Sequence, residues 1–377
     1  MLSDIKQLVV EQETDSIELL RRFVEIESFS HDKYGIDQLS EELKLTFSRF
    51  PLQVDHFQEE IYGNHLRFTM GNGERQITLL SHLDTVYPKG TLSTMPFKVE
   101  GNRIFGPGVY DMKASYVMMY HLFEFLEKDG LPDDTKLVWL CTSDEEIGSP
   151  TGRNIVYEEA NKSKVILVLE PSADDGALKT ARKGGGKFRI EVFGQSAHAG
   201  VNPHEGANAI EELAYQIVQI RELANESLGT TINTGEIKGG TLFNVVPDYA
   251  VAEVDVRVLN PMEVKRIETA FSSLQKYNPQ TRLKVEGSIY RPPLVRSNQT
   301  GALFEMAKKQ AFQLGMNLKE VTTGGGSDGN FAATTGKPVL DGLGVVGGFA
   351  HSPQEFLWKD SIAERTALLY GIITNLV

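Results

Sequence analysis

The strongest constraint on the fold is an apolar run that breaks off at two adjacent acids. Residues 137–141 (LVWLC) have the length and composition of a fully buried strand, and Glu145 and Glu146 follow in the stretch TSDEEIGS. In an open α/β sheet, the residues just beyond a buried strand lie in a crevice at the sheet edge. Because neighbouring side chains diverge, one carboxylate can bind a cation while the other moves protons. The pattern therefore predicts a charged site at the end of this strand.

Two further apolar stretches end in the same way. The residues ITLL at 77–80 lead to His82 and Asp84, and the apolar run at 164–169 leads to Glu170. Helical stretches separate these strands, and this alternation is typical of an α/β fold with a mostly parallel sheet. We therefore expect the side chains that follow the three strands to meet at one edge of the sheet.

Two more residues are expected to join them. Asp111 follows a Gly/Pro-rich turn at 106–108 and is expected at the head of a helix that runs to about Lys128, where an acid is stabilised by the helix dipole. His351 follows a glycine-rich apolar segment. Both are candidates for the same site.

The pattern changes at about residue 183. Residues 183–293 have the order β-α-β-β-α-β, which is the order of a ferredoxin-like unit. The ends of such a unit can lie close together, so it can be inserted into another domain without disturbing that domain's sheet. The sequence therefore predicts one domain of residues 1–182 and 294–377, and an inserted α+β domain of residues 183–293.

Local signals predict two helices near the start of the chain. Asp15, with Glu18 three residues later, matches a capping box for a helix over 16–27. A second helix is expected because four apolar residues fall on one stripe: Ile36, Leu39, Leu43 and Phe47. Pro51 is expected to end this helix.

Composition excludes several classes of partner. The chain has 38 basic and 51 acidic residues, a net charge of −13, and no Lys/Arg cluster, so neither nucleic acid nor an anionic membrane is an expected partner. Its one cysteine, Cys141, excludes an internal disulfide. The opening residues 1–12 lack the apolar core of a signal peptide, and no apolar run is long enough to span a membrane. We expect a cytoplasmic protein.

The acids and histidines at these positions contain more ligands than one zinc ion needs. They are His82, Asp84, Asp111, Glu145, Glu146, Glu170 and His351. Zinc takes imidazole nitrogen and carboxylate oxygen in about four positions, so the set fits two ions better than one. Manganese or cobalt could occupy similar ligands.

In the arrangement that we predict, Asp111 bridges two metal ions. His82 and Glu170 complete one site, and Glu146 and His351 complete the other. Two ions held in this way can share a bridging water and make it more acidic.

Two residues have other predicted roles. In an extended segment, residues two apart point the same way, so Asp84 can lie beside His82 and orient it. Glu145 is the candidate general base, which takes a proton from water and passes it to a leaving amine.

Each of these residues alone has a simpler explanation. A histidine after a strand is more often a hydrogen-bonded structural residue, Asp111 can be a helix cap, and adjacent acids usually form a solvated turn. Their recurrence where one sheet edge would gather them favours the metal site. We assign no role from spacing to His31, His65, His121 or Cys141, and the glycines 324–326 can form either an anion-binding nest or a flexible loop.

Eight motifs resemble those of the co-catalytic zinc exopeptidases and deacylases. They are SHLDTVYPKG, GPGVYDMK, TSDEEIGS, LEPS, SAHAG, FNVVPD, GGGSDG and GFAHSPQE, and they span most of the chain in the family's order. The family includes carboxypeptidase G (glutamate carboxypeptidase), succinyl-diaminopimelate desuccinylase, acetylornithine deacetylase and aminoacylase. The resemblance is closest to carboxypeptidase G.

This resemblance implies a zinc-peptidase catalytic domain and gives the residues named above the same roles. The ligands of two Zn²⁺ per subunit would be His82, Asp111, Glu146, Glu170 and His351, with Glu145 as general base and Asp84 as partner of His82. The inserted domain would be a lid and would form a homodimer.

The resemblance also implies roles for residues in the other motifs. His198 resembles the residue that stabilises the tetrahedral oxyanion, commonly across the dimer. Asn244 and Arg291 resemble residues that hold the substrate, and the fork of an arginine suits a free carboxylate. Gly325 and Gly326 resemble the loop that lines the substrate pocket.

From this we expect a two-zinc hydrolase that cleaves a peptide or N-acyl amide bond next to a free C-terminal carboxylate. A small peptide or N-acyl amino acid would be the substrate, and glutamate the preferred product. Acetylornithine or succinyl-diaminopimelate deacylation, or dipeptide hydrolysis, is the alternative within the family. A metal-free descendant that binds peptides without cleaving them and a two-metal phosphoesterase are the alternatives from other classes.

Overall fold

A computed structural model describes residues 2–377, except for the side chain of residue 174. The chain forms two compact units. The first comprises residues up to Thr180 together with Arg296–Thr323 and Ser327–Val377, and the second comprises Ala181–Val295 and Gly324–Gly326. The chain passes from one unit to the other at 180/181 and 295/296, compared with the predicted boundaries 182/183 and 293/294. The role of the second unit as a lid and dimerisation domain stays a prediction.

The regular elements are numbered in chain order. The α-helices in the described residues are α1 Leu2–Glu11, α2 Glu13–Glu25, α3 Lys33–Phe47, α4 Ala114–Asp129, α5 Gly152–Lys162, α6 Ala209–Arg221, α7 Pro261–Ser272, α8 Asn298–Gln313, α9 Asp328–Ala333 and α10 Asp360–Leu376. The strands are β1 Gln53–Phe57, β2 His65–Met70, β3 Arg75–His82, β4 Lys98–Glu100, β5 Arg103–Phe105, β6 Thr135–Thr142, β7 Ser163–Val168, β8 Leu178–Arg182, β9 Gly184–Phe193, β10 Thr231–Gly239, β11 Tyr249–Val258, β12 Arg282–Arg291, β13 Glu320–Thr323, β14 Val339–Leu340, β15 Gly347–Gly348 and β16 Phe356–Trp358.

The first unit is built on a six-stranded sheet in the order β1-β2-β6-β3-β7-β14. Strands β6, β3, β7 and β14 run parallel to one another, whereas β1 and β2 form an antiparallel edge in which β2 runs antiparallel to β6. Parallel strands are buried on both faces, which is why β3, β6 and β7 have near-continuous apolar sequences. The predicted α/β class with a mostly parallel sheet is confirmed.

The register of the three central strands brings their carboxyl ends to one edge. His82 on β3 pairs with Thr142 on β6, and Leu80 pairs with Val168 on β7. His82 is therefore level with the start of the turn that carries Glu145, and Glu170 follows β7 at the same edge.

Side chains of β3 alternate between two packed faces. Ile77 and Leu79 belong to the main apolar core, together with Trp139 of β6. On the other face, the Gln76 Nε2 donates to Glu159 Oε2 of α5 at 2.9 Å. Helices therefore cover the sheet on both sides and hold its strand ends in place.

The second unit is an antiparallel sheet in the order β10-β11-β9-β12. Its elements follow the order β9-α6-β10-β11-α7-β12, which is the predicted β-α-β-β-α-β. Helices α6 and α7 pack on the sheet through an apolar core in which the rings of Phe188 and Phe271 stack with centroids 4.0 Å apart. Asn208 and Asn260 cap the two helices with their side chains.

The capping-box prediction at Asp15 is wrong. Helix α1 ends at Glu11 and α2 begins at Glu13, so Gln12 is the residue before α2 and it makes no side-chain cap. Asp15 lies inside the first turn of α2, so it is not the N-cap residue, although a negative charge at this position is favourable. The apolar stripe of the next helix is confirmed, because all four of its predicted residues are buried in α3.

Across residues 2–377, none of the helices combines the length and the apolar character needed to cross a bilayer.

Removing the Phe271 ring should destabilise the second unit. Phe271→Ala leaves a cavity beside Phe188, and such changes cost about 3–5 kcal/mol of unfolding free energy. Hydrogen exchange of the β9 and β11 amides measures this loss. Phe312→Ala is the control, because that ring is 82% exposed and its removal should change stability by less than about 0.5 kcal/mol. Equal protection in the two variants would contradict the packing described here.

Candidate metal centre

His82 ends β3 and presents one ring nitrogen to two acids. Its Nδ1 lies 2.9 Å from the backbone oxygen of Asp84. A carbonyl only accepts, so Nδ1 carries a hydrogen and donates it there. The other nitrogen, Nε2, lies 3.1 Å from Asp111 Oδ1 and 3.7 Å from Glu170 Oε1. This orientation is the one that a metal-ligating histidine adopts.

Asp111 lies between the two histidines. Its Oδ1 faces His82, and its Oδ2 lies 3.4 Å from His351 Nε2. The same His351 nitrogen lies 3.1 Å from Glu146 Oε2. The structure therefore brings together His82, Asp111 and Glu170 on one side and Asp111, Glu146 and His351 on the other.

The expected position of Asp111 at the head of a helix is wrong. Helix α4 begins at Ala114, and Asp111 itself has extended dihedral angles (φ −116°, ψ 92°). Its carboxylate is therefore not a helix cap. The extended backbone turns the side chain toward the histidines instead.

The donor atoms are close enough to share cations. One ligand atom from each of His82, Glu145 and Glu170 lies within 4.8 Å of the others, and the same holds for His82, Asp111 and Glu146. Glu146 Oε1 is buried and has no hydrogen-bond partner among the described residues. A buried acceptor without a donor is costly, and a cation beside it would remove that cost. The residues present therefore fit a metal centre.

Electrostatics support the same conclusion. Burial, together with the charge of Asp111, raises the pKa of Glu146 to about 8. Hydrogen bonds to Asp111 and Glu146 raise the pKa of His351 to about 11. Burial alone would raise the pKa of Asp111, but hydrogen bonds from His351 and His82 outweigh it and hold this pKa well below its usual range. The acids thus crowd one another and need positive charge nearby.

Asp84 holds the turn that carries both glutamates. Its Oδ1 and Oδ2 accept the backbone N–H groups of Glu145 and Glu146, each at 3.1 Å, and Ser30 Oγ donates to Oδ2 at 2.8 Å. Oδ1 also lies 3.5 Å from His82 Nδ1. The sequence predicted the contact with His82 but not the hydrogen bonds to the turn.

Two other buried acids brace the same turn, and neither was predicted. Asp144 Oδ2 accepts from the backbone N–H and the hydroxyl of Thr151, at 2.7 and 2.8 Å. Asp328 Oδ2 accepts from the hydroxyl of Thr142 at 2.6 Å. Each had a signal in the sequence that could have identified it. Asp144 is an acid directly before Glu145, and Asp328 is the aspartate in the SDG of the glycine-rich motif.

Lys113 is a further buried group that sequence reasoning missed. Its Nζ donates to the backbone oxygens of Phe23 and Ile26, at 3.1 and 2.7 Å, at the end of α2. Burial lowers the pKa of Lys113 to about 7. The side chain ties α2 to the segment that carries Asp111.

The remaining predicted site residues lie in the second unit. His198 is exposed, and its Nδ1 accepts the backbone N–H of Gly200 at 3.1 Å. The backbone oxygen of Asn244 accepts from Ala199 N at 3.1 Å, so the motifs SAHAG and FNVVPD are neighbours. This unit therefore brings His198 and Asn244 together.

Arg291 is buried beside the glycine loop of the same unit. A side chain at Gly326 would place its Cβ 2.5 Å from Arg291 Cδ, so it would displace the arginine from its present position. Arg182 Nη1 donates to the backbone oxygens of Gly325 and Gly326, each at 3.1 Å. Arg182 thus shapes the loop, a role that the sequence did not predict.

The fold and the centre define an α/β protein with a buried site able to hold divalent metal ions. The profile of Peptidase family M20/M25/M40 matches residues 78–375. The chain belongs to this family, and it is a metallohydrolase of the peptidase and deacylase kind. The resemblance found in the motifs is therefore confirmed.

Named relatives agree with this assignment. The chain is 29% identical to carboxypeptidase G2 of Pseudomonas sp. (strain RS-16), over 98% of this chain and 91% of that one. Its fold is similar to that of aminopeptidase PepT from Bacillus cereus, with a TM-score of 0.80, 22% identity, and coverage of 97% and 98%. It is also similar to YXEP from Bacillus subtilis, described as a dinuclear metal binding peptidase, with a TM-score of 0.68, 15% identity, and coverage of 97% and 99%.

Replacing the Asp84 carboxylate should weaken metal binding. In Asp84→Asn, one of the two backbone N–H groups at Glu145 and Glu146 loses its acceptor, so the ligand-bearing turn loosens. Loss of such a supporting contact lowers metal affinity by about ten- to a hundredfold. Calorimetric titration of the metal-free protein with zinc measures this affinity. Asp55→Asn is the control, because Asp55 contacts Arg67 and Gln53 and no residue of the centre. Equal zinc affinity in both variants would be the contrary result.

Proposed function

We propose that this protein is a two-metal amidohydrolase that cleaves a peptide or N-acyl amide bond next to a free C-terminal carboxylate, with glutamate as the preferred C-terminal residue. The observation that carries the proposal is the position of Asp111, whose two oxygens face two separate sets of donors. The preference for glutamate is supported by the 29% identity to carboxypeptidase G2.

The residues that would hold the two ions are those of the cluster. His82, Asp111 and Glu170 would hold one ion, and Asp111, Glu146 and His351 the other. Zinc suits these nitrogen and oxygen donors, and manganese or cobalt can use the same set. When bound, such a pair would lower the pKa of a nearby water, so that hydroxide forms near neutral pH.

Glu145 would act as general base. Its carboxylate lies in the group with His82 and Glu170, and its backbone N–H is fixed by Asp84. The side chain would take a proton from the attacking water and deliver it to the leaving amine nitrogen. General acid and base catalysis of this kind contributes about 10²–10⁴ in rate.

Residues of the second unit would bind the substrate. The planar fork of Arg291 suits a bidentate contact with a carboxylate, and Gly326 leaves room for that side chain. Asn244 and the loop glycines Gly325 and Gly326 would line the pocket. The exposed imidazole of His198 would donate to the oxyanion.

A homodimer through the second unit is part of the proposal. Strand β10 is an edge of its sheet, so its outer backbone groups are open to pairing. Phe243, next to Asn244 in the motif FNVVPD, is fully exposed and would gain burial from a partner.

A substrate screen beside metal analysis tests the proposal. The expected result is two metal ions per subunit and hydrolysis of N-acyl-glutamates and glutamyl-terminated dipeptides. Faster cleavage of acetylornithine or succinyl-diaminopimelate would favour the deacylase alternative. Activity confined to phosphate esters would favour a phosphoesterase, and protein with neither metal nor hydrolysis would be a peptide-binding descendant.

Glu145→Gln should separate catalysis from metal binding. The amide keeps the size of the side chain but cannot take a proton, so kcat should fall at least a hundredfold while zinc content stays at the wild-type value. Glu146→Gln is the contrast, because it removes a proposed ligand and should lower zinc content. Near-normal turnover in Glu145→Gln would remove this residue from its role.

Arg291→Ala should discriminate between substrates by their terminal group. Loss of a hydrogen-bonded contact to a charged group costs about 1.5–3 kcal/mol, so KM for an N-acyl-glutamate should rise roughly ten- to a hundredfold. KM for the matching α-carboxamide should change little. Arg296→Ala, which breaks only an ion pair with Glu320, is the control. Equal losses on the acid and the amide would contradict the assignment.

A further inference from the structure

Glu355 is a buried acid that the assigned chemistry does not use. It immediately precedes β16, and Phe356 of β16 pairs with Phe105 of β5. The chain leaves β5 and reaches Asp111 within the next turn. This pairing therefore places the Glu355 carboxylate beside the backbone of Asp111.

One oxygen of Glu355 fixes the backbone on the N-terminal side of Asp111. Oε1 accepts the N–H of Tyr110 at 2.9 Å and the N–H of Asp111 at 3.1 Å. Asp111 lies outside the sheet ladders and precedes α4, so this carboxylate supplies the partner for its half-buried N–H group. The direction of the Asp111 side chain depends on how this backbone is held.

The other oxygen of Glu355 leads to His351. Oε2 accepts from the hydroxyl of Tyr87, and that hydroxyl also lies 3.0 Å from the backbone oxygen of Ser352. Ser352 follows His351, whose φ of 63° is left-handed and uncommon for a residue with a side chain. A residue keeps such a conformation where the contacts around it hold it there. The contact between Tyr87 and the backbone of Ser352 is one of these contacts.

We propose that Glu355 and Tyr87 are positioning residues of the metal centre, with Glu355 holding Asp111 and Tyr87 connecting the same carboxylate to the turn that carries His351. This inference rests on the proposed function, because it concerns the two ions assigned there. It predicts an order of effects. Tyr87 contacts the turn that carries His351 directly and reaches Asp111 only through Glu355, whereas Glu355 contacts the backbone of Asp111 and therefore supports both sides.

If Glu355 and Tyr87 contributed only to stability, replacing them would lower the free energy of unfolding without changing metal binding. Two control variants isolate that effect. Glu159 is equally buried and bonds Arg67, Gln76 and Lys162 away from the cluster. Tyr120 accepts one hydrogen bond, from Arg49. Glu159→Ala and Tyr120→Phe therefore remove comparable contacts and should leave zinc affinity unchanged.

The experiment is calorimetric titration of the metal-free full-length proteins with zinc. Tyr87→Phe should weaken one of two binding events by about ten- to a hundredfold and change the other less. Glu355→Ala should weaken both. Glu355→Gln should recover most of the affinity, because the amide oxygen can accept the N–H groups of Tyr110 and Asp111 while its NH₂ faces the Tyr87 oxygen.

A spectroscopic measurement gives a readout that does not depend on activity. The visible absorption bands of the cobalt-loaded protein report ligand geometry, so they should change in Tyr87→Phe and stay unchanged in Tyr120→Phe. If Glu355→Ala does not fold, Tyr87→Phe decides the question alone.

Three outcomes overturn this inference in different ways. If wild-type protein binds two zinc ions and Tyr87→Phe binds both with the same affinity and the same cobalt spectrum, the positioning role is wrong and the proposed function stands. If wild-type protein itself does not bind two ions, the proposed function fails and the inference fails with it. Equal losses in Tyr87→Phe and Tyr120→Phe would also overturn it, since the effect would then be general.

Discussion

Buried negative charge is the constraint on which the first unit depends. Several carboxylates meet where the central strands end, and the two oxygens of Asp111 face the two histidines. Taking carboxylates out of water is costly unless opposite charge compensates. In the metal-free chain His82 and His351 supply that compensation, which is why the pKa of His351 is raised to about 11. The site is therefore built to hold cations, and the assigned chemistry follows from that property.

The proposed metal ligands are held in place by other acids, which accept hydrogen bonds from the backbone. Asp84 accepts the N–H groups of Glu145 and Glu146, and Glu355 accepts those at Asp111. Each of these contacts joins a ligand-bearing segment to a residue far away in the sequence. A charged acceptor makes strong hydrogen bonds with backbone N–H groups, so it fixes loops that have no sheet ladder or helix of their own. The precision of the centre thus depends on a second set of carboxylates.

The sequence predicted the parts of this structure that follow from local pattern. Apolar runs identified the central strands, and their parallel arrangement explained why Glu145 and Glu170 end at one edge with His82. The capping box predicted at Asp15 was wrong, because the chain enters α2 directly from α1 and Asp15 lies inside the first turn of α2. Sequence reasoning also missed Glu355, since the hydrogen bond to Asp111 spans 244 positions and leaves no periodic trace.

The position of Asp111 between two cations is the central claim, and anomalous diffraction from crystals of the zinc-loaded protein tests it most directly. The account predicts two zinc peaks in each subunit, one on the side of His82 and Glu170 and one on the side of Glu146 and His351, with an Asp111 oxygen contacting each. A single peak, or two peaks of which Asp111 contacts only one, would contradict it.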